Sequence, residues 1–77
     1  MTQEELLQWI AELFEDTVEN IKPETKREDI AAWDSLGVLT LMAGLDEKFG
    51  IVLSENEISS LKKVDDILNV LRRNGKL

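Results

Sequence analysis

The sequence contains no cysteine and no histidine. Without cysteine it has no disulfide, no thiolate zinc site and no cysteine nucleophile. Without histidine it lacks the usual general base, the commonest metal ligand and every histidine-based catalytic triad. Its apolar runs are far shorter than the roughly 20 residues that cross a bilayer, so we expect no membrane-spanning segment. We therefore expect neither a metal site nor the common forms of enzyme catalysis.

The chain is also poor in positive charge. Nine Lys and Arg stand against sixteen Asp and Glu, which gives a net charge of −7 over 77 residues. Such a charge repels phosphate backbones and anionic membranes, so we expect no nucleic-acid partner and no membrane partner. The acidic N-terminal turns do not resemble a signal peptide, which favours a cytoplasmic location. The length predicts a single domain, 1–77.

The acidic residues do not form an obvious catalytic pair. Carboxylates are adjacent at Asp46-Glu47 and at Asp65-Asp66. Adjacent helix positions point about 100° apart, so neither pair forms a joint acid/base site. The glycines are isolated and form no phosphate-binding loop. These patterns indicate solvated helix faces and argue against an enzyme.

Hydrophobic periodicity predicts a first helix over 3–19. Thr2 and Glu5 have the spacing of a capping box at its start, and Asn20 and Pro23 are placed to end it. Its apolar residues fall in one broad arc of the helical wheel. They are Leu6, Leu7, Trp9, Ile10, Leu13, Phe14 and Val18. A long connection over 20–34 follows, and connections of that length are usually functional or contain short turns.

A second helix is predicted over Ser35–Phe49, with Ser35 as its N-cap and Gly50 just past its end. It carries two apolar strips. The larger one consists of Val38, Leu41, Met42, Leu45 and Phe49. The smaller one consists of Leu36, Leu39 and Ala43, with Asp46 and Glu47 at its border. A core helix needs only the larger strip, so the smaller one requires a separate explanation.

Two further helices complete the prediction. Ser54 and Glu57 have capping-box spacing and begin a short helix that ends near Ser60. The last helix covers Val64–Arg73 and stops at Asn74-Gly75. The apolar segment 51–53 has no partner strand elsewhere. The predicted fold class is all-α, a small bundle of three main helices plus one short helix.

Ser35 has the most informative setting in the sequence. It lies where the long connection meets the second helix, within Asp34-Ser35-Leu36. A hydroxyl at a helix N-terminus points outward, and the helix dipole there favours an attached anion such as a phosphodiester. Because Asp-Ser is a common dipeptide, a simple helix cap is the better explanation of Ser35 on this tripeptide alone.

A wider pattern around Ser35 resembles the acyl carrier protein family over nearly the whole chain. The order of the helices, the length and the acidity agree with that family. The matching segments are Trp33-Asp34-Ser35-Leu36, Asp46-Glu47-Lys48-Phe49-Gly50-Ile51, Leu61 and Val64-Asp65-Asp66-Ile67. The resemblance implies that 4′-phosphopantetheine, taken from coenzyme A, is attached to Ser35, with Asp34 and Leu36 beside it. The thiol of that arm would hold an acyl group that a chain without cysteine cannot hold itself.

The resemblance also implies partners and roles for other residues. The partners would be a phosphopantetheinyl transferase and acyl-loading and acyl-using enzymes with basic docking surfaces, and the carrier would be a monomer. Residues expected to dock are Leu36, Leu39, Ala43, Asp46, Glu47 and, in the short helix, Ile58. Core residues that could open around an acyl chain are Val38, Leu41, Met42, Leu45, Leu61 and Ile67. Leu39 could instead pack under the long connection.

The chain departs from the family pattern at several positions. Typical fatty-acid-synthesis carriers have acids two and five residues after the serine, where this chain has Gly37 and Thr40. Trp33 replaces a small residue, and Lys62-Lys63 replaces a Thr pair. These differences favour a stand-alone carrier for a dedicated pathway. We expect housekeeping enzymes to use it poorly, and Gly37→Asp with Thr40→Glu to improve it by restoring two docking charges. The alternatives are an unmodified acidic helical interaction module and a structural subunit with a degenerate carrier fold.

Overall fold

A computed structural model describes all 77 residues and consists of helices and turns. Its helices are α1 (Gln3–Leu13), α2 (Ser35–Phe49), α3 (Glu55–Ser59) and α4 (Val64–Arg73). The only extended pairing is an isolated antiparallel bridge between Lys26 and Lys63. The predicted all-α bundle of three main helices and one short helix is therefore confirmed, and the segment 51–53 is a connector. No helix is long and apolar enough to traverse a bilayer.

The first helix is shorter than the sequence predicts, because α1 ends at Leu13 and not near position 19. Glu15 adopts a left-handed backbone conformation with φ 52°. The Asp16 N–H donates to the Ala11 carbonyl at 2.8 Å and the Glu15 N–H donates to the Glu12 carbonyl at 3.2 Å. These two bonds form a Schellman ending, which satisfies the last carbonyls of the helix and turns the chain away.

The residues after α1 form a separate turn. Val18–Asn20 is a short 3₁₀ turn, and Val18 remains 41% exposed although its spacing matches the apolar arc. Asp16 accepts hydrogen bonds from the Thr17 backbone N–H at 2.7 Å and from the Asn20 side chain at 3.0 Å. These bonds, the one from the Asn20 side chain above all, hold the pKa of the Asp16 carboxyl below its ordinary value.

Both predicted capping boxes are present. The Thr2 hydroxyl accepts from the Glu5 N–H at 3.2 Å, while the Glu5 carboxylate accepts from the Thr2 N–H at 2.9 Å. The hydrogen bond from the Thr2 backbone lowers the pKa of the Glu5 carboxyl. Ser54 and Glu57 make the same reciprocal pair at the start of α3. Each box fixes the point where its helix begins.

A single hydrophobic cluster of 18 residues fills the interior, and no polar or charged residue is buried. All four helices and the long connection contribute to it. The stacked rings of Phe14 and Trp33, with centroids 5.4 Å apart, join the end of α1 to the segment just before α2. The fully buried side chains include Leu6, Ile10, Ile21, Leu41, Leu45, Val64, Ile67, Leu68, Val70 and Leu71.

The long connection is fastened to the segment between α3 and α4. The Arg27 N–H donates to the Lys62 carbonyl at 2.8 Å, and the Val64 N–H donates to the Thr25 carbonyl at 2.9 Å. A second 3₁₀ turn covers Arg27–Asp29. The connection therefore contains short turns, as predicted for a loop of this length. Its two backbone hydrogen bonds fix its position beside the start of α4.

Candidate functional site

The beginning of α2 differs from the prediction in one residue. The N-cap is Asp34, whose side chain accepts a hydrogen bond from the Gly37 N–H at 3.0 Å. Ser35 is the first residue of the helix and not its cap, so the prediction of Ser35 as N-cap was wrong. Asp34 takes the cap position because its short carboxylate reaches the third amide of the helix and suits the positive end of the helix dipole.

Because Asp34 caps the helix, the Ser35 side chain is not needed as a cap. Ser35 is exposed, and its hydroxyl makes no hydrogen bond within the chain. The hydroxyls of the other three serines all make hydrogen bonds within the chain. The Ser54 hydroxyl accepts from the Glu57 N–H, and the Ser59 and Ser60 hydroxyls donate to backbone carbonyls. Ser35 is thus the one serine whose hydroxyl is both exposed and free to react.

The surroundings of Ser35 fit an attached phosphodiester. The backbone N–H groups of Ser35 and Leu36 have no acceptor in the chain, as expected for the first turn of a helix. These amides and the helix dipole favour a negative group at this end of α2. The arrangement can therefore hold a negatively charged group on Ser35.

The chain before Ser35 is held in place by two contacts. The Arg27 Nε donates to the Trp33 carbonyl at 3.0 Å. Gly37 allows the Ala32 carbonyl to approach the first turn of α2, since a Cβ at position 37 would lie only 1.9 Å from the Ala32 oxygen. Gly37 is buried. The expectation that Gly37→Asp would add an exposed docking charge is therefore wrong, because the loop backbone occupies that space.

A groove of about 390 Å³ lies next to Ser35, between the end of α1 and the first turns of α2. Its walls include Phe14, Asp34, Leu36 and Thr40, with Gly37 at the closest approach of the two segments. The Thr40 hydroxyl donates to the Leu36 carbonyl at 3.0 Å. Thr40 lines this groove and is exposed, whereas Gly37 is buried against the Ala32 carbonyl.

The smaller apolar strip of α2 is exposed. Leu36 is 74% exposed and Leu39 is 61% exposed, so Leu39 does not pack under the long connection. Ala43, Asp46 and Glu47 are exposed as well. The docking strip predicted on α2 is thus accessible along its length, beginning beside Ser35. Its role in docking remains a prediction.

Ile58 does not belong to that accessible surface. It is only 4% exposed and lies in the hydrophobic cluster. The hypothesis that Ile58 docks a partner is therefore wrong for this conformation. The reason is that α3 is only one and a half turns long and has Ile58 as its one buried residue, which attaches it to the core.

The six predicted acyl-pocket residues are packed in the core or against it. Leu41, Leu45, Leu61 and Ile67 are buried, and Val38 and Met42 are half-buried against the same cluster. Their placement confirms them as core residues. Whether they open around an acyl chain remains a prediction.

One exposed apolar residue was missed. Val52 lies between α2 and α3 and is 78% exposed, while Ile51 and Leu53 on either side are buried. Alternation of side chains along an extended segment is the signal that could have identified it, because the middle residue of three points away from its neighbours.

Comparison with known proteins agrees with the fold. The chain is 29% identical over 75 residues to an acyl carrier protein from Myxococcus xanthus, covering 91% of this chain and 94% of that protein. It is 26% identical over 77 residues to a meromycolate extension acyl carrier protein from Mycobacterium leprae, covering 95% and 67% respectively.

A solved structure supports the same relationship. The solution NMR structure of a holo acyl carrier protein from Geobacter metallireducens superposes with a TM-score of 0.76 at 30% sequence identity. The match covers 95% of this chain and 85% of that protein. No protein-family profile matches the sequence.

Proposed function

Because this chain belongs to the acyl carrier protein family, we propose that it carries acyl groups as thioesters on a 4′-phosphopantetheine arm attached to Ser35. Proteins of this family are carriers and not enzymes. The observation that carries the proposal is the Ser35 hydroxyl, which is exposed and makes no hydrogen bond within the chain. The arm supplies a thiol, which a chain without cysteine lacks.

Each residue around Ser35 has a distinct part in this proposal. Asp34 caps α2 and thereby leaves the Ser35 hydroxyl free. The amides of Ser35 and Leu36 face the phosphodiester end of the arm and stabilise its negative charge. The loop contact at Gly37 fixes the backbone on the other side of the serine. The chain thus presents one hydroxyl on a rigid helix start, and a phosphopantetheinyl transferase performs the transfer from coenzyme A.

The exposed strip beside Ser35 is the surface on which partner enzymes dock in this proposal. Leu36 and Leu39 supply apolar area, and Asp46 and Glu47 supply acidic charge for basic partner surfaces. Charge complementarity of this kind mainly sets the encounter rate and the choice of partner. These partners would be acyl-loading and acyl-using biosynthetic enzymes.

Loading with an acyl group tests the proposal. The protein is incubated with a promiscuous phosphopantetheinyl transferase and an acyl-coenzyme A, and its intact mass is measured. We expect the mass to rise by one acyl-phosphopantetheinyl group, and hydroxylamine to remove only the acyl part because a thioester is labile to it. A folded protein whose mass does not change would favour the unmodified interaction module.

The chain's departures from the family pattern further support a dedicated pathway rather than housekeeping fatty acid synthesis. Thr40 is exposed, and the acid expected at this position in a fatty-acid-synthesis carrier would add a contact worth about 0.2–1 kcal/mol beside the arm. We expect slow loading by housekeeping malonyl-transfer enzymes and faster loading of Thr40→Glu, with the gain smaller at high salt. Gln8→Glu adds the same charge on an exposed part of α1 and should leave the rate unchanged. Wild-type loading as fast as that of a housekeeping carrier would contradict a dedicated pathway.

A further inference from the structure

The fold brings two dibasic pairs together. Lys26 and Arg27 lie in the long connection, whereas Lys62 and Lys63 lie between α3 and α4. The backbone bridge between Lys26 and Lys63 and the hydrogen bond from the Arg27 N–H to the Lys62 carbonyl place them side by side. Four of the chain's nine basic residues therefore meet at one place, although the protein as a whole carries a net charge of −7.

These four cations surround a cavity of about 550 Å³. Its other lining residues are Trp33, Glu28 and Asp66. Small-molecule sites usually fall between about 300 and 1,000 Å³, so the cavity is large enough for a compact ligand. Six of its seven lining residues are charged, which argues against an apolar ligand.

None of the four cations is neutralised by an ion pair. The only ion pair of the protein is Arg72–Asp65, outside the cavity. Asp66 uses its carboxylate to accept the backbone N–H groups of Lys62 at 2.8 Å and Lys63 at 3.2 Å. Glu28 makes no ion pair. With the two acids Glu28 and Asp66 counted against the four cations, the lining keeps a net charge of +2 in a protein whose net charge is −7. Like charges opposite each other across a bridge are destabilising, and a bound anion would offset that repulsion.

The donors have the arrangement that recognises phosphate. Arg27 is half-buried, and its Nε is fixed by the Trp33 carbonyl at 3.0 Å, which leaves both terminal nitrogens of the guanidinium without partners. A guanidinium held in this way binds two phosphate oxygens at once, and lysine ammonium groups add point charges around it. Several cations around a small cavity match a ligand with several adjacent negative charges.

We propose that this cavity, lined by Lys26, Arg27, Lys62 and Lys63, binds a small diphosphate-bearing molecule. Ser35 is not among the residues that line the cavity. The concave shape favours a compact diphosphate over an extended acidic segment of a partner protein.

Titration of the 77-residue chain with inorganic diphosphate, followed by amide NMR at low salt without divalent ions, tests this proposal. We expect saturable shifts confined to the amides of 26–28 and 62–66. Lys62→Gln with Lys63→Gln should raise the Kd at least about tenfold, whereas the matched control Lys22→Gln with Lys76→Gln, outside the cavity, should raise it less than about threefold. The amide spectra also show whether each variant is folded.

Three results would overturn the proposal. The first is shifts that spread over the surface without saturating, and the second is equal weakening by both double variants, since either indicates diffuse attraction to net charge. The third is tighter binding of a glutamate-rich peptide than of diphosphate at equal ionic strength, which would assign the cavity to an acidic protein segment. Because the titration uses unmodified protein, its failure leaves the carrier function of Ser35 untouched.

Discussion

At the scale of single residues, Asp34 and Ser35 divide two tasks that are often combined in one helix-start residue. Asp34 caps α2, and Ser35 is left without a hydrogen bond. We predict that Asp34→Ala lowers the free energy of unfolding of the unmodified protein by about 1 kcal/mol, whereas Ser35→Ala changes it by less than about 0.5 kcal/mol. Urea unfolding measures both. A larger loss in Ser35→Ala than in Asp34→Ala would show that the serine is the cap after all.

Among the four glycines, Gly37 has the least space for a side chain. A Cβ there would collide with the Ala32 carbonyl oxygen, which belongs to backbone and cannot rotate away. We predict that Gly37→Ala lowers the free energy of unfolding by about 1–3 kcal/mol, as for other overpacked sites.

Gly44 is the matched control for Gly37, since both glycines lie in α2. A Cβ at Gly44 would meet the ends of the Leu13 and Trp9 side chains at 3.0 and 3.1 Å, and side chains can shift where a carbonyl cannot. Alanine also favours a helix over glycine by about 1 kcal/mol. Gly44→Ala should therefore cost less than Gly37→Ala in the same urea experiment, and equal stability of Gly37→Ala and the wild type would refute the close approach.

Among the secondary-structure elements, α1 ends at a turn in which a non-glycine residue, Glu15, has an unfavourable backbone conformation. Glu15 has a left-handed backbone, which suits glycine and strains other residues. We predict that Glu15→Gly raises the free energy of unfolding by about 0.5–1 kcal/mol. Gln8→Gly, at an exposed position in the middle of α1, should lower it by about 1 kcal/mol because glycine weakens a helix interior. If both variants were destabilised alike, α1 would have to continue past Leu13.

The sequence predicts those elements whose boundaries depend on local signals. The bounds of α2 and α4 and both capping boxes follow from cap residues and apolar periodicity within a few positions of each end. The end of α1 does not follow from such signals. Phe14 and Val18 continue the apolar periodicity, and the left-handed turn at position 15 is made by Glu15, whereas glycine is the residue that usually indicates such a turn. The contact of Gly37 with Ala32 and the bridge between Lys26 and Lys63 depend on how the chain folds in three dimensions. Local sequence signals therefore do not predict them.

At the scale of the whole molecule, the excess of acidic charge is hardly balanced by local pairs. Of the sixteen acidic residues only Asp65 forms an ion pair, with Arg72. Mutual repulsion of the acidic side chains therefore opposes the folded state. We predict that the melting temperature rises between about 10 and about 300 mM NaCl, where the Debye length falls several-fold. Millimolar Mg²⁺ should have the same effect through weak, diffuse binding. A melting temperature that is independent of both would contradict this account.

Intact mass after incubation with coenzyme A and a promiscuous transferase shows whether Ser35 alone receives the phosphopantetheine arm. We predict one added phosphopantetheinyl group on the wild type and none on Ser35→Ala. The control is Ser54→Ala, because Ser54 also lies at a helix start but its hydroxyl accepts a hydrogen bond from the Glu57 N–H. This variant should gain one phosphopantetheinyl group, as the wild type does. An unmodified wild type, or addition that persists in Ser35→Ala, would contradict the account.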